Sequence, residues 1–211
     1  MLLGKLLRQN REVIKMDERK YYKKIVGDKL YLSPISFDDV EQYTEMVNDT
    51  RFMIGVGSIV YTNIIDIEKE KENIEFFKKQ KYQFAVRRIE DDELVGNIGF
   101  NTVDELHRTA VLGIMLANDK YQNMGYGTEA MNLLLDFGFS FLNLKNISLA
   151  CFEYNTIAYN LYKKVGFKEV GRIRKSIEFM GKRYDDILMD ILPEEFESKY
   201  IKRILERYNL K

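Results

Sequence analysis

Two glycines separated by a single residue, Gly125 and Gly127, precede an apolar stretch within residues 121–139. Glycines at this spacing let the backbone approach a ligand closely, because they carry no side chain. The apolar stretch has helical periodicity, and the free N–H groups at the start of a helix favour an anion. The segment is therefore predicted to bind phosphate.

Three kinds of phosphate-binding loop contain paired glycines, and the neighbouring residues separate them. A Walker loop ends in Gly-Lys-Ser/Thr, whereas Thr128 and Glu129 follow Gly127, so this kind is excluded. Residues 125–130 fit the dinucleotide fingerprint G-x-G-x-x-G/A, and Glu153 is a candidate ribose ligand. The first glycine of that fingerprint should follow a strand directly, but residues 118–124 intervene. A Rossmann-type NAD oxidoreductase is therefore the third-ranked alternative.

A second motif lies downstream of the loop. Residues 122–127 read Q-x-x-G-x-G, and residues 155–167 read N-x-x-A-x-x-x-Y-x-x-x-G-F. In this order, the two motifs resemble those of the GCN5-related N-acetyltransferase (GNAT) family, and the layout of residues 29–192 is similar to its domain. The last strands resemble the branch with ribosomal-protein N-terminal and spermidine acetyltransferases. The resemblance implies direct transfer of an acetyl group from acetyl-CoA to a primary amine, without a metal.

The resemblance also implies which residues bind the coenzyme. Those expected to hold its pyrophosphate are Gln122, Asn123, Met124, Gly125, Tyr126, Gly127 and Thr128. Main-chain groups of Ile114, Met115 and Leu116 would bind the pantetheine arm in a splayed strand, where Gly113 allows a bulge. Asn155 would contact the same arm, or else simply cap a helix. Tyr162 stands at the proton-donor position, since a phenol with a pKa of about 10 is protonated at neutral pH; the alternative is a core tyrosine.

The general base is missing from its usual place. Many relatives carry a glutamate in the fourth strand, in a stretch like R-x-A-E-I-G, where this chain has Val111. Asp104, Glu105 and His107 precede that strand and are candidates, as are water and a partly neutral acceptor. The missing carboxylate also motivates a second hypothesis, a CoA-binding sensor or interaction module without turnover.

The resemblance implies that the amine acceptor approaches from the side formed by residues 51–63 and 176–186. Glu178, Asp185 and Asp186 lie in the second range and would attract a cationic amine. As an alternative, these carboxylates are charges that protect an exposed strand edge.

Composition excludes several other classes of protein. The formal net charge is zero, so nothing global favours nucleic acid. His107 is the single histidine and Cys151 the single cysteine, which excludes a multi-histidine zinc site and an intrachain disulfide. Cys151 is expected to be a packed, inert thiol. The sequence predicts a cytoplasmic protein without a membrane span, and the resemblance suggests a homodimer.

Hydrophobic periodicity predicts the element order β-α-α-β-β-β-α-β-α-β-β. The predicted strands begin near Leu30 and cover 82–89, 93–100, 109–117, 146–152, 167–179 and 183–192. A first helix is expected through Val40, Tyr43 and Val47, and a second over 65–80 with Ile67, Ile74 and Phe77 inward. A third is expected over 128–144, with an apolar stripe ending at Phe141. A fourth is expected over 156–166, with Ile157 inward. Residues 51–63 are expected to be an apolar link.

These elements predict an α/β (α+β) fold in one domain. The resemblance adds a mixed, mostly antiparallel sheet flanked by helices and splayed between its fourth and fifth strands. We expect a charged helical extension over 1–28, the acetyltransferase domain over 29–192, and a C-terminal helix over 193–211 that Pro193 opens.

Overall fold

The computed structural model describes residues 21–56, 63–116, 121 and 123–209. Within these residues, eight strands form one sheet in the order β1-β2-β3-β4-β5-β6-β8-β7. The strands are β1 Ile25–Val26, β2 Leu30–Ser33, β3 Gln83–Arg88, β4 Leu94–Asp104, β5 Thr109–Leu116, β6 Asn146–Phe152, β7 Lys168–Phe179 and β8 Lys182–Ile191. All neighbouring strands are antiparallel except β5 and β6, which are parallel. The predicted mixed, mostly antiparallel sheet is confirmed.

Six α-helices are described. They are α1 Val40–Val47, α2 Thr50–Val56, α3 Ile67–Lys79, α4 Tyr126–Ser140, α5 Thr156–Val165 and α6 Ile201–Arg207. Local sequence explains several of their ends: Asp66 caps α3 by accepting from the Lys69 N–H at 2.8 Å, and Gly166 ends α5 with φ 119°. Among these helices, none is long and apolar enough to cross a lipid bilayer.

The sheet carries a hydrophobic cluster on each face. The larger one joins the sheet to α4 and α5, and Leu133, Leu134 and Leu135 of α4 are fully buried in it. Burying each such leucine contributes about 1.5–3 kcal/mol. The smaller cluster lies on the other face, where α1 and α3 pack against the sheet around Ala85 and Leu94.

Several sequence-based boundaries need correction. The predicted link over 51–63 contains helix α2, while residues 57–62 lie outside the described residues. Helix α4 begins at Tyr126 instead of residue 128 and ends at Ser140. Pro193 opens a short 3-10 turn, Pro193–Glu195, and the last helix begins only at Ile201.

Three apolar side chains that periodicity placed inside are exposed. Ile67 is 38% exposed, Phe141 57% and Ile157 72%. Each lies in the first turn of its helix or just beyond the last, where the neighbouring layer no longer covers the helix. A repeat along a helix identifies its buried face but not how far the covering layer extends.

The domain boundaries remain a prediction, and residues 1–20 lie outside the described residues. Strand β1 falls within the predicted extension over 1–28, and it pairs with β2 through Ile25 and Val26. The end of that segment therefore belongs to the sheet.

Candidate active site

A gap between β5 and β6 lies at the centre of the candidate site. The two strands pair only from Thr109 to Val111, opposite Asn146 to Ser148. Farther along, β5 continues through Leu116 paired with β4, and β6 continues through Phe152 paired with β8. The predicted splay between these two strands is therefore confirmed; they are fifth and sixth in the structure because β1 precedes them.

A bulge accompanies the opening of the gap. The register of β4 against β5 shifts between Phe100 and Thr102, which leaves Asn101 as the extra residue. The Asn101 amide occupies the place of a Gly113 side chain, since a Cβ there would lie 2.6 Å from Asn101 Nδ2. The expected bulge is thus in β4, and Gly113 makes room for it. Because a bulge bends its strand and increases the twist, it helps β5 to diverge from β6 after Val111.

Three β5 residues predicted to bind the coenzyme through main chain, Ile114, Met115 and Leu116, line this gap. Ile114 and Leu116 pack against the larger hydrophobic cluster, and Met115 against the smaller one. In the described part of the sheet, their backbone pairs with β4 alone. In the described sheet, Ile114 and Leu116 therefore have a strand partner on the β4 side, and their other edge lies where the resemblance expects the pantetheine arm.

The glycine loop leads into the first turn of α4. Gly125 is the N-cap of this helix in the left-handed conformation, with φ 81°, and Asn123 has φ 61°. Tyr126 is buried, Met124 is exposed, and Gly127 and Thr128 belong to the first helical turn. The backbone N–H groups of a first turn have no partner inside their helix, so this end of α4 fits a diphosphate.

Not every residue of the predicted loop can be placed. Gln122 lies outside the described residues, so its predicted contact with the coenzyme stays a prediction.

The two glycines of the loop have different roles. A Cβ on Gly125 would meet no atom within 4 Å, so glycine is required there by the backbone conformation. A Cβ on Gly127 would lie 2.8 Å from Leu161 Cδ2 and 3.3 Å from Leu116 Cδ1. Gly127 therefore lets the start of α4 pack closely against α5 and the end of β5, which brings the loop to the gap.

Glu129 connects the first turn of α4 to the start of β2, and no motif in the sequence indicates this role. Its Oε1 accepts hydrogen bonds from the backbone N–H groups of Asp28, Lys29 and Leu30, at 2.7, 2.8 and 3.0 Å. An acid in a first helical turn is a recognisable signal, but partners about a hundred residues away are not. The side chain of Lys29 also reaches the glycine loop, where its Nζ donates to the Met124 carbonyl oxygen at 3.1 Å. A cation therefore lies beside the loop.

Asn155 caps α5, as one of the two sequence interpretations predicted. Its Oδ1 accepts from the Ala158 N–H at 3.1 Å, and its Nδ2 donates to the Gly55 carbonyl oxygen of α2 at 2.9 Å. Both ends of the amide are therefore engaged. A coenzyme contact through this side chain stays a prediction and requires one bond to be exchanged.

Tyr162 is buried on the face of α5 that packs against the larger cluster, with its ring 6.2 Å from that of Phe167. Burial, and to a lesser extent Cys151, raises the pKa of Tyr162, so the phenol keeps its proton at neutral pH. These properties suit a proton donor, and they also suit a core residue.

Cys151 is buried at the far end of β6. Burial, followed by the charge of Asp186, raises the pKa of its thiol to about 11. Since the thiolate is the nucleophilic form, Cys151 is a poor covalent acyl carrier. The structure thus supports the interpretation as a packed, inert thiol.

The three candidate bases before β5 are not brought to the gap. Asp104 accepts from the His107 backbone N–H at 2.8 Å and lies 2.9 Å from its Nδ1, and Glu105 pairs with Lys81 at 2.8 Å. These residues precede β5, whereas the gap opens beyond Val111. Strand β5 begins at Thr109, and its five steps from Thr109 to Ile114 span roughly 17 Å. Asp104, Glu105 and His107 therefore lie toward the closed end of the β5–β6 pair, and a role as the base stays a prediction.

The predicted acceptor-side carboxylates lie on the β7–β8 hairpin, and they differ from one another. Glu178 pairs with Arg183 at 2.9 Å, and Asp185 accepts from the Lys175 N–H at 3.0 Å. Asp186 Oδ1 is buried and has no hydrogen-bond partner among the described residues. Burial raises the pKa of the Asp186 carboxyl.

Comparison with known proteins decides which family has this arrangement. The family described as the acetyltransferase (GNAT) domain matches residues 29–168. The chain belongs to the GNAT acetyltransferase family. Its fold and its general activity as an N-acetyltransferase follow from that membership, and the dinucleotide-binding alternative is wrong.

Individual relatives agree with this assignment. The chain is 29% identical over 176 residues to the uncharacterized N-acetyltransferase YnaD of Bacillus subtilis, covering 82% of this chain and 98% of the relative. It is 33% identical over 134 residues to the spermidine N(1)-acetyltransferase of Vibrio cholerae, covering 61% and 74%.

Solved structures show the same fold. A GNAT-family acetyltransferase from Bacillus anthracis superposes with a TM-score of 0.71 at 28% identity, covering 81% of this chain and 99% of that one. The spermidine N-acetyltransferase of Vibrio cholerae in complex with CoA and spermine superposes with a TM-score of 0.70 at 23% identity, covering 80% and 98%.

Proposed function

We propose that this protein transfers an acetyl group from acetyl-CoA to a primary amine, such as a protein N-terminus, a polyamine or another amine-bearing small molecule. The observation that carries the proposal is the gap between β5 and β6, which runs beside the glycine loop and the first turn of α4. The 33% identical spermidine N(1)-acetyltransferase of Vibrio cholerae supports it, and a spermidine N-acetyltransferase of the same organism, similar in fold, was solved with CoA and spermine.

The residues present fit a coenzyme with a diphosphate and an extended amide arm. Backbone N–H groups at the start of α4, with Lys29 beside them, provide the positive field that a diphosphate requires. Beyond Val111, the edge of β5 that faces β6 offers the backbone groups of Ile114 and Leu116 to the amides of the arm. When bound, the coenzyme supplies a thioester as the acetyl donor.

Side chains of the protein must then protonate the departing sulfur and deprotonate the attacking amine. In the overall transfer a nitrogen–carbon bond forms, the carbon–sulfur bond breaks, and the sulfur leaves with the electron pair. Tyr162 is protonated and buried close to the end of the gap, so it can give a proton to the departing sulfur. The nitrogen loses two protons as an ammonium becomes an amide, and one of them must be removed before it can attack.

A second candidate function follows from Val111. This valine is 40% exposed at the point where the gap opens, and it provides no carboxylate there. A GNAT-fold protein that binds CoA as a sensor or interaction module, without turnover, has the same coenzyme site. The two candidates differ only in whether thiol is released.

Calorimetric titration of the purified protein with acetyl-CoA tests the proposal, with NADH as the parallel control. We expect micromolar binding of acetyl-CoA and none of NADH. Thiol release is then followed with peptides, polyamines and aminoglycosides. Absence of acetyl-CoA binding would refute both candidates, whereas tight CoA binding without thiol release would favour the sensor. A homodimer and a cytoplasmic location remain predictions, which light scattering and cell fractionation can test.

A further inference from the structure

Four aromatic side chains cluster where β6 ends and the β7–β8 hairpin passes it. Tyr154 stacks on Phe179 with ring centroids 4.6 Å apart and on Phe152 at 5.5 Å, and it meets Tyr184 edge-on at 5.2 Å. We call Phe152, Tyr154, Phe179 and Tyr184 the aromatic cluster. All four are only partly buried, so the cluster is a surface that a ligand can reach.

Asp186 shares this surface. It is the strand partner of Phe152, and partners in an antiparallel pair project to the same face of a sheet. Tyr184 lies two residues before it along β8, so it also projects to that face. Cys151 and its partner Ile187 point to the opposite face, into the larger hydrophobic cluster with Tyr162.

Two buried polar atoms at this surface have no hydrogen-bond partner among the described residues. They are Asp186 Oδ1 and the Tyr154 hydroxyl. An unsatisfied buried carboxylate oxygen is unfavourable, because it has lost its hydration without replacement. The pKa of Asp186 is raised by this burial. Such a group is best explained by a cationic partner that arrives as a ligand.

The neighbouring carboxylates do not share this property. Asp185 is held by the Lys175 N–H, and Arg172 lies beside it and bonds to Glu169 at 2.6 Å. Glu178 has its own partner, Arg183. The uncompensated negative charge is therefore specific to Asp186 and is not a property of the hairpin as a whole.

The surface also lies at the correct end of the gap. Phe152 is the last residue of β6, and β6 has separated from β5 by that point. The end of α2 is beside it, because Gly55 accepts from Asn155, the residue that follows Tyr154. An amine bound there faces the open end of the predicted coenzyme site.

We propose that Asp186 and the aromatic cluster bind the ammonium group of the acceptor, and that the Asp186 carboxylate removes the proton that the nitrogen must lose before it attacks. The N–H bond breaks, its electron pair stays on nitrogen, and the proton moves to the carboxylate. This inference rests on the proposed acetyl transfer, and it assigns to β8 the role that Val111 cannot perform. Aromatic faces beside the carboxylate attract the same cation.

The substitution Asp186→Asn tests this role, because it keeps the shape of the side chain and removes its charge. Spermidine and n-hexylamine serve as probes, titrated by calorimetry with and without CoA. We expect at least a tenfold weaker affinity for both amines and an unchanged affinity for CoA. With acetyl-CoA, kcat should fall by about 10²–10⁴-fold, the range for a lost general base.

Two further readouts separate this role from a structural one. Asp186→Asn should leave the melting temperature unchanged or higher, because it removes an uncompensated charge. In the wild type, kcat/KM should decline as the pH falls through the raised pKa of Asp186, and that decline should be absent in the variant. Among the described residues, the titratable groups near Asp186 include Cys151 and Tyr154, and burial raises the pKa of each, away from that acidic range.

Asp190→Asn is the matched control, since it makes the same charge change elsewhere on β8, where the carboxylate accepts from Asn146 Nδ2 at 2.7 Å. It should leave amine affinity, kcat and the pH profile unchanged. Asp186→Asn with wild-type amine affinity and kcat would overturn the proposal, as would a wild type that binds CoA but neither amine. Failure of the proposed acetyl transfer gives a different result from failure of the role of Asp186, because in the first case the wild-type protein does not bind acetyl-CoA.

Discussion

Replacing Gly125 by alanine separates the conformational role of the glycine loop from its role in coenzyme binding. Gly125 has φ 81°, and a Cβ there would meet no protein atom within 4 Å. The folded protein therefore loses only backbone energy, about 1–2 kcal/mol for an L-residue in the left-handed region. For a chain of this length, each kcal/mol lowers the melting temperature by about 2–4 °C. We expect a decrease of about 2–8 °C.

The effect on the coenzyme should be larger than this strain explains. The new methyl group would occupy the open space at the start of α4, where we place the diphosphate, and would block the close approach of the backbone. We expect Kd for acetyl-CoA to rise at least tenfold, which corresponds to about 1.4 kcal/mol. Calorimetry at a temperature well below both melting transitions measures this directly.

Gly181→Ala is the matched control for that experiment. Gly181 lies in the turn between β7 and β8 with φ 73°, and a Cβ there also meets nothing within 4 Å. The two variants should lose similar stability, and only Gly125→Ala should lose affinity for acetyl-CoA. Equal affinity in both would show that Gly125 serves the fold alone and that the diphosphate does not lie at this end of α4.

Substitutions at three further residues test other parts of the protein. Tyr162→Phe should slow transfer by about 10²–10⁴-fold with little change in acetyl-CoA affinity, since it removes the proposed proton donor and keeps the buried ring; an equal rate removes Tyr162 from the chemistry. Asn155→Ala should cost about 2 kcal/mol, from the lost cap and the lost bond to Gly55. Asn155→Asp keeps the cap, so thermal unfolding should place it between wild type and alanine. Burial raises the pKa of the Glu70 carboxyl. The stabilising contribution of protonated Glu70 is therefore present below the pKa of the unfolded state, and it is lost as the pH rises through the pKa of the folded state. Glu70→Gln should raise the melting temperature at neutral pH but not in acid.

Local patterns in the sequence predicted most of the sheet. The strand Asn146–Phe152 and the helix Thr156–Val165 have the predicted bounds, with allowance for the cap Gly166, because alternation, capping residues and a glycine stop all coincide there. The errors concern features that depend on neighbours. Helix α2 was missed because glycine and apolar residues within 51–63 give no clear helical period.

Features set by short spacings are easier to predict than features set by distant neighbours. The glycine loop and Tyr162 belong to fixed spacings within single segments, so the resemblance names them, and their roles stay predictions. The Asn101 bulge depends on register between two strands, and the partners of Glu129 come from the other end of the domain. Asp186 was named with Asp185 and Glu178, and only the structure separates the carboxylate without a partner from those that are engaged.

The energetics of the gap explain why a sheet can contain it without loss of integrity. Each of the diverging strands keeps a full antiparallel partner on its other side, β4 for β5 and β8 for β6. Opening the gap therefore leaves one row of backbone groups on each strand without a sheet partner, instead of two. Those groups would be costly if they were buried without hydrogen bonds, but along a gap that opens to solvent they can bond to water or to an extended ligand. A binding edge of this kind follows from where pairing stops after Val111, and it depends on Gly113, because a larger residue would displace the Asn101 amide that accompanies the bulge.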